Sequence, residues 1–513
     1  MIRQFNRTAL TLRSSKNSRG SHDWGGGVCP QDWPRLVIFG ATPRLGPATP
    51  SGNAYRSLPE RPRLRRVLAT VFVTLCCVLP AMADEPLRIA TFNVDATPPI
   101  GSPVAYVPAR SIIDPLSARG LVLLSNEQPV VVCAVDWIGI GNGGHDAWRE
   151  QIARAAGTTA DRVAVHTLHQ HDGVRCDFDT EQLMQEHGLG GRRFNEPFSR
   201  DALARVAQAI RKSLKEPKKV SHIGTGMAKV EKVASNRRLL GPDGKVRLMR
   251  YSASTNSEAI AAPEGVIDPN IRLISFWNDE TPLAVISYYA THPQSYYGKG
   301  DVTAEFVGMA RAEREQDLPE AVHVHFNGAG GNIAAGKYND GSPERRPILA
   351  GRLAQGMKLA WEATRKKPIT TGDLSWRVER VKLPPADFLN ETELLKTLSG
   401  EDNAAKVRFA AAIKLTWLRR CLAEHEIEIG RLRLGSVDIV HMPGELFVEY
   451  QLAAQVLRPD AFVCMAAYGD YGPGYIGTEI AYSQGGYETS ERASLVAPSV
   501  EGVLMNALRE LLK

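Results

Sequence analysis

Short apolar runs rich in β-branched residues alternate with helical patterns along most of the chain. Pro129–Val135 is one such run, and Arg162–Thr167 is another. Between them, Trp148, Ile152 and Ala155 recur at the spacing of one helix face. A strand, a helix and a second strand in this order predict an α/β architecture.

The same alternation continues toward the C-terminus. Further strands are predicted at Arg272–Trp277, Leu283–Tyr289, Ala321–Phe326, Val437–Met442 and Phe462–Ala467. Helices are predicted over Ile348–Ala363, over Thr392–Ala423 with an interruption near Gly400, and over Ser499–Leu512. No repeat of fixed period and no linker rich in Pro and Ser follows Asp84. We therefore expect one large domain over residues 84–513, with either a two-sheet core or an inserted helical pair around residues 385–425.

The first 83 residues carry an export pattern. The basic stretch Arg61–Arg66 precedes about 13 apolar residues, Val67–Leu79, and the small-residue site Ala81-Met-Ala83 follows. This predicts a signal peptide over residues 61–83, cleaved after Ala83, and hence a periplasmic or secreted protein. An uncleaved anchor is the alternative, although a spanning helix needs roughly 20 apolar residues. Residues 1–60 are interpreted as a disordered leader or as the product of a start codon assigned too far upstream.

Charge and cysteine content narrow the function classes. The formal net charge is +6, but much of the excess lies in the first 66 residues. No basic stripe with interleaved aromatics is present, so nucleic acid is not expected as a partner. Four cysteines remain after the leader without any C-x-x-C pair, which indicates mainly buried thiols, with one bridge left open: Cys133, Cys176, Cys421 and Cys464.

Four segments place polar side chains directly after a predicted strand. They are His166–Gly173, Ala290–Pro293, Met442–Glu445 and Asp470–Tyr475. In open α/β sheets the loops at the carboxyl ends of the strands line the ligand crevice, so these distant segments are expected to meet.

Two histidine pairs have the H-x-H spacing. His169 and His171 suit Zn²⁺ if they lie on a strand or tight loop, although such a pair is more often a surface feature. His323 and His325 alternate with apolar residues, and we expect them to face solvent on a half-buried strand.

The glycine cluster Asn327–Ile333 lies between a predicted strand and a predicted helix. Its backbone amides could hold an anion or an oxyanion, but a tight turn that tolerates only glycine is an equal alternative. The spacing matches neither the dinucleotide fingerprint nor the P-loop, which disfavours nucleotide binding.

Taken together, the segments resemble the neutral/alkaline, non-lysosomal ceramidase family over about residues 88–490. The pieces that carry the resemblance, in the family's order, are Asp95–Gly101, Asp114–Val122, His166–Gly173, Asn236–Arg238, Ala290–Pro293, Asn327–Ile333, Pro443–Glu445, Gly474–Thr478 and Tyr487-Glu488. The resemblance implies mixed β-sheets flanked by helices in one catalytic domain, without the family's C-terminal immunoglobulin-like domain.

By the same resemblance, zinc is held by His169, His292, Glu445 and Tyr475, which retain all four ligand types of the family. His171, Arg237 and Tyr487 match residues around the reaction centre: His171 for proton transfer, the other two for polarising the carbonyl or holding the oxyanion. Surface or core roles for Arg237 and Tyr487 are the alternatives. Substrate contacts are expected from Asn236, Gly330, Gly331 and Asn332.

Two departures from the family affect the choice of substrate. Ceramidases read Gly-Asp-Val-Ser-Pro where this chain reads Gly331-Asn-Ile-Ala-Ala335, so Ala334 replaces a hydroxyl and a serine nucleophile is excluded there. The family's Ser-Gly-Pro after the histidines becomes Asp172-Gly-Val174.

The sequence therefore predicts an exported zinc-dependent amidohydrolase that uses a zinc-activated water. Its substrate is an N-acyl lipid such as ceramide or another small N-acyl compound, with approach to a membrane surface left open. The alternative is a metal-stabilised binding protein of the same fold that has lost turnover.

Overall fold

Three β-sheets carry most of the buried hydrophobic residues in residues 86–513, the part of the chain that the computed structural model describes. In hydrogen-bonded order, the first sheet consists of Val163–Thr167, Val130–Val135, Ser117–Leu124, Arg88–Asp95 and Lys218–Lys219. The second consists of Val322–Asn327, Thr281–Tyr289, Asn270–Asn278, His222–Lys229 and Arg365–Pro368. The third consists of Leu374–Val381, Ile427–Leu434, Val437–His441 and Phe462–Ala466.

Each sheet is mixed and contains one parallel strand pair at an edge. Val130–Val135 pairs with Val163–Thr167, Thr281–Tyr289 with Val322–Asn327, and Val437–His441 with Phe462–Ala466. The strand Val322–Asn327 also contacts strands of the first and third sheets. The parallel edges of the three sheets therefore meet in the middle of the domain, and the loops after these strands open toward a common region.

Five short two-stranded pairs tie these loops together. They are Ser111–Ile112 with Asp301–Val302, Gly139–Ile140 with Arg175–Cys176, Ser235–Asn236 with Ile333–Ala334, Arg238–Leu240 with Val246–Met249, and Glu445–Leu446 with Tyr475–Ile476.

Helices cover the outer faces of the sheets. They are Asn142–Ala156, Phe178–Glu186, Glu196–Ser213, Ser257–Ala261, Glu305–Asp317, Arg345–Glu362, Glu391–Ser399, Ala405–Leu422, Val448–Leu457, Glu479–Gln484 and Val500–Leu511, with 3₁₀ turns at Ala160–Arg162 and Thr371–Asp373. The helices Asn142–Ala156 and Glu196–Ser213 pack on the first sheet. Arg345–Glu362 packs on the second sheet, and Val500–Leu511 packs on the third. The described residues belong to one compact unit.

The expected helical pair is present at residues 391–422. Asn390 caps its first helix by accepting a hydrogen bond from the Glu393 amide, and Gly400 ends that helix. The two helices pack on each other and on Phe178–Glu186 through a separate apolar cluster that includes Leu183, Phe194, Leu398 and Leu415. This insertion forms one wall of the cavity described below.

Most of the expected elements are confirmed, and the α/β class with them. The eight strands and helices predicted from apolar spacing between residues 272 and 512 are all present, with ends that shift by a few residues. The four cysteines among the described residues are free thiols, three of them buried.

The solvent-facing prediction for His323 and His325 is wrong. Their strand is packed on both faces, because the first and third sheets meet it opposite the helix Glu305–Asp317. His325 is fully buried, with its Nδ1 2.8 Å from the Ser287 hydroxyl, and His323 is buried as well. An alternating pattern therefore does not identify a half-exposed strand when its polar positions are histidines that can be buried neutral.

The predicted leader, signal peptide and cleavage site at residues 1–83 lie outside the described residues. Within residues 86–513, no helix is both long enough and apolar enough to span a bilayer.

Candidate metal centre

Three metal-capable side chains from different sheets converge on one buried point. Nε2 of His169 and Nε2 of His292 each lie 3.1 Å from Oε2 of Glu445. His169 follows the strand Val163–Thr167 of the first sheet, His292 follows a strand of the second sheet and Glu445 follows a strand of the third. All three are buried, and their ligand atoms lie close enough together to share one metal ion. The predicted meeting of the strand-end loops is confirmed for these three residues.

Backbone carbonyls orient both imidazoles. Nδ1 of His169 lies 2.9 Å from the Ile138 carbonyl oxygen, and Nδ1 of His292 lies 2.7 Å from that of Gly330 and 3.0 Å from that of Ile333. A carbonyl only accepts, so each Nδ1 carries the proton and each Nε2 presents a lone pair to the shared point. Such outer hydrogen bonds are typical of histidines that bind metals.

Glu445 is a buried carboxylate whose partners are all formally neutral. Oε2 faces the two imidazoles, and Oε1 accepts a 2.7 Å hydrogen bond from the Tyr471 hydroxyl. Burial disfavours the charged form of Glu445, whereas the positive charge that His169 and His292 would carry if protonated lowers its pKa well below the usual value. With both imidazoles neutral, a cation at the shared point would favour the ionised carboxylate in the same way.

Tyr475 places a phenol oxygen at the same point. Its hydroxyl lies 3.0 Å from Nε2 of His292, and the two rings stack with centroids 5.9 Å apart. Burial raises the pKa of this phenol well above its ordinary value, and the charge of Arg237 opposes the rise. The four side chains together offer two imidazole nitrogens, a carboxylate oxygen and a phenol oxygen, a donor set that fits Zn²⁺.

The backbone around these residues is specialised. His169 adopts φ 65°, a left-handed conformation that is uncommon outside glycine and costs of order 1 kcal/mol or more. Gly331 lies so close to Glu445 that an added Cβ would be 2.2 Å from the Glu445 carbonyl oxygen. Gly331, part of the predicted glycine cluster, therefore permits close contact between two segments that carry the site.

Arg237 lies beside the phenol and is held by a buried acid. Its Nη1 donates to the Tyr475 hydroxyl at 3.1 Å and lies 3.3 Å from Nε2 of His292. Its Nε lies 3.1 Å from Glu488, in an ion pair without the alignment of a hydrogen bond. Glu488 also accepts from Nη1 of Arg238 at 3.2 Å, so one fully buried carboxylate contacts both arginines. Neither arginine is the surface pair considered as an alternative.

His171 contacts the centre from the cavity side. Its Nε2 lies 3.2 Å from Nε2 of His169, and its Nδ1 lies 3.1 Å from the Tyr106 hydroxyl. The ring of Tyr297 packs edge-on against it at 4.8 Å. Burial, followed by the charge that His169 would carry, lowers the pKa of His171 well below 6.5, so this imidazole is neutral.

A cavity of about 330 Å³ opens onto these groups. Tyr487 lines it, and its ring packs edge-on against Tyr475 at 5.7 Å. The other polar side chains of the centre that line it are His169, His171, Glu445, Tyr471 and Tyr475. Its volume lies in the usual range of small-molecule sites.

The four residues expected to contact substrate lie beside the centre but outside the cavity lining. The Asn236 amide donates to the Val266 carbonyl and accepts from the Arg238 amide. Asn332 bridges Glu449 and the Val448 amide, and the Gly331 amide donates to the Leu446 carbonyl. Gly330 contributes its carbonyl to His292. Substrate contact by these four residues stays a prediction.

Three residues that support the site have no role in the sequence prediction. Tyr471 binds the second Glu445 oxygen, Tyr106 binds His171, and Glu488 neutralises Arg237. Tyr471 belongs to the Asp470–Tyr475 segment that was singled out, so its position was a usable signal. Tyr106 lies in a stretch without any recognisable pattern. Ala334, where the ceramidases have a hydroxyl, is fully buried in its short strand.

No protein-family model matches the chain, and no curated protein matches it. Among solved structures, the chain resembles the neutral ceramidase from Pseudomonas aeruginosa with a TM-score of 0.62 and 17% identity, over 84% of this chain and 74% of that one. It resembles a ceramidase complexed with C2 with a TM-score of 0.62 and 16% identity, over 84% of this chain and 75% of that one. The fold is therefore ceramidase-like, with mixed sheets flanked by helices, as the sequence resemblance implied.

Proposed function

We propose that the protein is a zinc-dependent hydrolase that cleaves an amide bond. The observation that carries the proposal is the buried Glu445 carboxylate, which faces two imidazoles and a phenol without a fixed cationic partner among the described residues. An ionised carboxylate in this environment is costly unless a cation balances it. The geometry of His169 and His292 around the same oxygen supports a metal ion as that cation.

The proposed ligands are Nε2 of His169, Nε2 of His292, Glu445 and the phenol oxygen of Tyr475. Two neutral imidazoles with a carboxylate and a phenolate would balance the charge of a divalent ion. When bound, Zn²⁺ would supply Lewis-acid activation of water and of the scissile carbonyl.

The surrounding side chains supply the proton and charge chemistry. His171 presents Nε2 to the centre while Tyr106 holds Nδ1, so Nε2 is the atom proposed to take a proton and pass it to the leaving amine. Arg237, fixed by Glu488, donates one hydrogen bond from Nη1 to the Tyr475 oxygen and favours its ionised form. Tyr487 faces the cavity and is the proposed donor to the oxyanion that develops on the substrate carbonyl.

The substrate is proposed to be an N-acyl lipid such as ceramide or another N-acyl compound. The ceramidase-like fold supports an amide as the scissile bond. An apolar section of the cavity wall, formed by Phe194, Phe409, Ile413 and Leu495, supports an acyl chain or another apolar group. The export pattern of residues 61–83 supports action in the periplasm or outside the cell.

Metal analysis combined with a panel of chromogenic N-acyl amides and esters tests this proposal. The variants to compare are His171→Gln and, as a matched control outside the cavity, His187→Gln. We expect about one zinc per chain in all three proteins, amide hydrolysis by the wild type and the control, and a loss of about 100-fold or more in His171→Gln. Zinc binding without turnover of any panel member by the wild type would instead favour the metal-stabilised binding protein.

A further inference from the structure

The cavity beside the metal centre is lined by more basic than acidic side chains. Its basic lining residues are Arg175, Arg193, Lys406, Lys414 and Arg492. Within residues 86–513 none of the five forms a salt bridge, whereas most other partly buried arginines of the domain do. The two acids in the lining are already engaged, Glu445 at the metal centre and Asp177 by Asn142 and Thr180.

Arg175 and Arg193 form the core of this charge. Nη1 of each donates to the same acceptor, the Ala105 carbonyl oxygen, at 3.3 Å. Two cationic groups therefore share one neutral oxygen, and Nε of Arg193 is buried with no hydrogen-bond partner among residues 86–513. Like charges held together in a partly buried site are unfavourable unless an anion joins them.

The protein holds the two arginines in place against their repulsion. Arg175 lies in the short strand that pairs with Gly139–Ile140, next to the buried Cys176. Arg193 precedes Phe194, which is anchored in the apolar cluster of the helical insertion. The neighbouring charge of Arg175, followed by burial, lowers the pKa of Arg193 to about 9. The shared Ala105 carbonyl places the two guanidinium groups close together, and Arg193 remains protonated at neutral pH.

We infer that this cavity selects amide substrates that carry an oxyanion, such as a carboxylate, and that Arg175 and Arg193 bind it. The inference rests on the proposed hydrolase function and names the substrate class for that site. The planar guanidinium groups match a carboxylate in shape and charge, and the adjoining apolar wall suits a hydrocarbon chain on the same molecule. A neutral lipid amide would fill the apolar part and leave the arginines unpaired.

Matched substrate pairs that differ by one charge test this inference. In the first pair, N-dodecanoylglycine and N-dodecanoylglycinamide, the anion lies on the amine side of the scissile bond. In the second, the 4-nitroanilides of succinate and butyrate, it lies on the acyl side. For the zinc-loaded wild type we expect kcat/KM to be about tenfold or more higher for the anionic member of at least one pair. Equal rates within both pairs, or a preference for the neutral members, would overturn the inference and leave the hydrolase proposal intact.

Variants assign the preference to the two arginines. We expect Arg193→Gln and Arg175→Gln each to bring the ratio of anionic to neutral kcat/KM close to one. Arg192→Gln removes the same charge from the adjacent exposed position and should keep the wild-type ratio. A ratio that survives in both cavity variants would also overturn the inference.

Binding provides a readout that does not require turnover. Calorimetric titration of N-dodecanoylglycine into chelator-treated protein removes any competing carboxylate binding by the metal. We expect a Kd about tenfold weaker in Arg193→Gln than in the wild type and in Arg192→Gln. Arginine-dependent binding without hydrolysis of any substrate would support the anion site and reject the hydrolase. The absence of both would reject the two proposals together.

Discussion

Nε2 of His292 and Oε2 of Glu445 lie 3.1 Å apart although 153 residues separate them in the chain. The contact joins the second sheet to the third, and His169 brings in the first sheet at the same carboxylate oxygen. The centre thus connects the three sheets through polar side chains. A metal ion bound here would link three separate parts of the fold, so its binding energy is expected to appear as stability.

Replacing Glu445 is expected to remove metal and metal-dependent stability together. Glu445→Gln keeps the side-chain volume but removes the charge, so zinc content should fall well below that of the wild type. Zinc at about a thousand times its Kd would stabilise the wild type by about 4 kcal/mol. Added zinc should therefore raise the Tm of the wild type and have little effect on the variant, as measured by elemental analysis and thermal unfolding.

Glu449→Gln is the matched control for this change. Glu449 lies four residues later, half-buried, and binds Asn332 rather than the centre. The Glu449→Gln variant should therefore keep the zinc content of the wild type. Undiminished zinc in Glu445→Gln would reject the proposed ligand set.

Tyr475 is expected to bind the metal as phenolate. Adding zinc to the metal-free wild type should produce the ultraviolet difference spectrum of tyrosinate, because a divalent cation displaces the phenol proton. Tyr475→Phe should lose this signal and bind zinc at least about tenfold more weakly. Removing a residue that only hydrogen-bonds to a ligand already costs about tenfold in metal affinity, so losing a ligand should cost at least as much.

Tyr468→Phe is the control for the spectrum. The Tyr468 hydroxyl is also buried, and the Tyr468 ring stacks on His169. This hydroxyl has no hydrogen-bond partner among the described residues. This variant should retain the signal. If Tyr475→Phe retained it too, Tyr475 would not be a ligand.

Removing the charge of Glu488 should destabilise the fold. Glu488→Gln leaves Arg237 and Arg238 buried without a carboxylate, and an uncompensated buried charge costs about 3–5 kcal/mol. Urea unfolding should show this loss, while Glu491→Gln at an exposed position should stay within about 0.5 kcal/mol of the wild type. A loss of less than about 1 kcal/mol in Glu488→Gln would mean that the three residues do not act as one buried unit.

Buried neutral histidines should make the fold sensitive to acid. Burial lowers the pKa of His325 to about 3 and that of His323 to about 4, whereas both titrate near 6.5 in an unfolded chain. Between these values the unfolded state binds more protons than the folded state, so stability falls as pH falls below about 6.5. Each histidine should contribute a slope of about 1.4 kcal/mol per pH unit over most of this window.

The free energy of unfolding at several pH values between 6.5 and 4.5 checks this expectation. His325→Leu should reduce the slope by about 1.4 kcal/mol per pH unit, the contribution of one proton. A slope that is identical in wild type and His325→Leu would show that His325 is not held neutral by the fold.

The sequence by itself determined the strands and helices and the positions of the candidate site residues along the chain. Apolar runs such as Val130–Val135 and Val437–His441 identify strands because a strand buried on both faces has few polar positions. The interruption near Gly400 separates the two inserted helices because glycine ends the first helix. His169, His292 and Glu445 lie in polar segments directly after predicted strands. This position identifies them as candidates because loops at the carboxyl ends of strands often carry functional groups.

Only the tertiary structure decided which side chains touch and which of them are buried. The burial of His323 and His325 depends on two neighbouring sheets, and no local pattern contains that information. The link from Tyr106 to His171, the balance of two arginines by Glu488, and the pairing of Arg175 with Arg193 likewise join positions far apart in the chain or in loops without periodicity. Periodicity reports how one segment meets its immediate surroundings, whereas hydrogen bonds and charge balance depend on contacts between segments that form only when the sheets pack together.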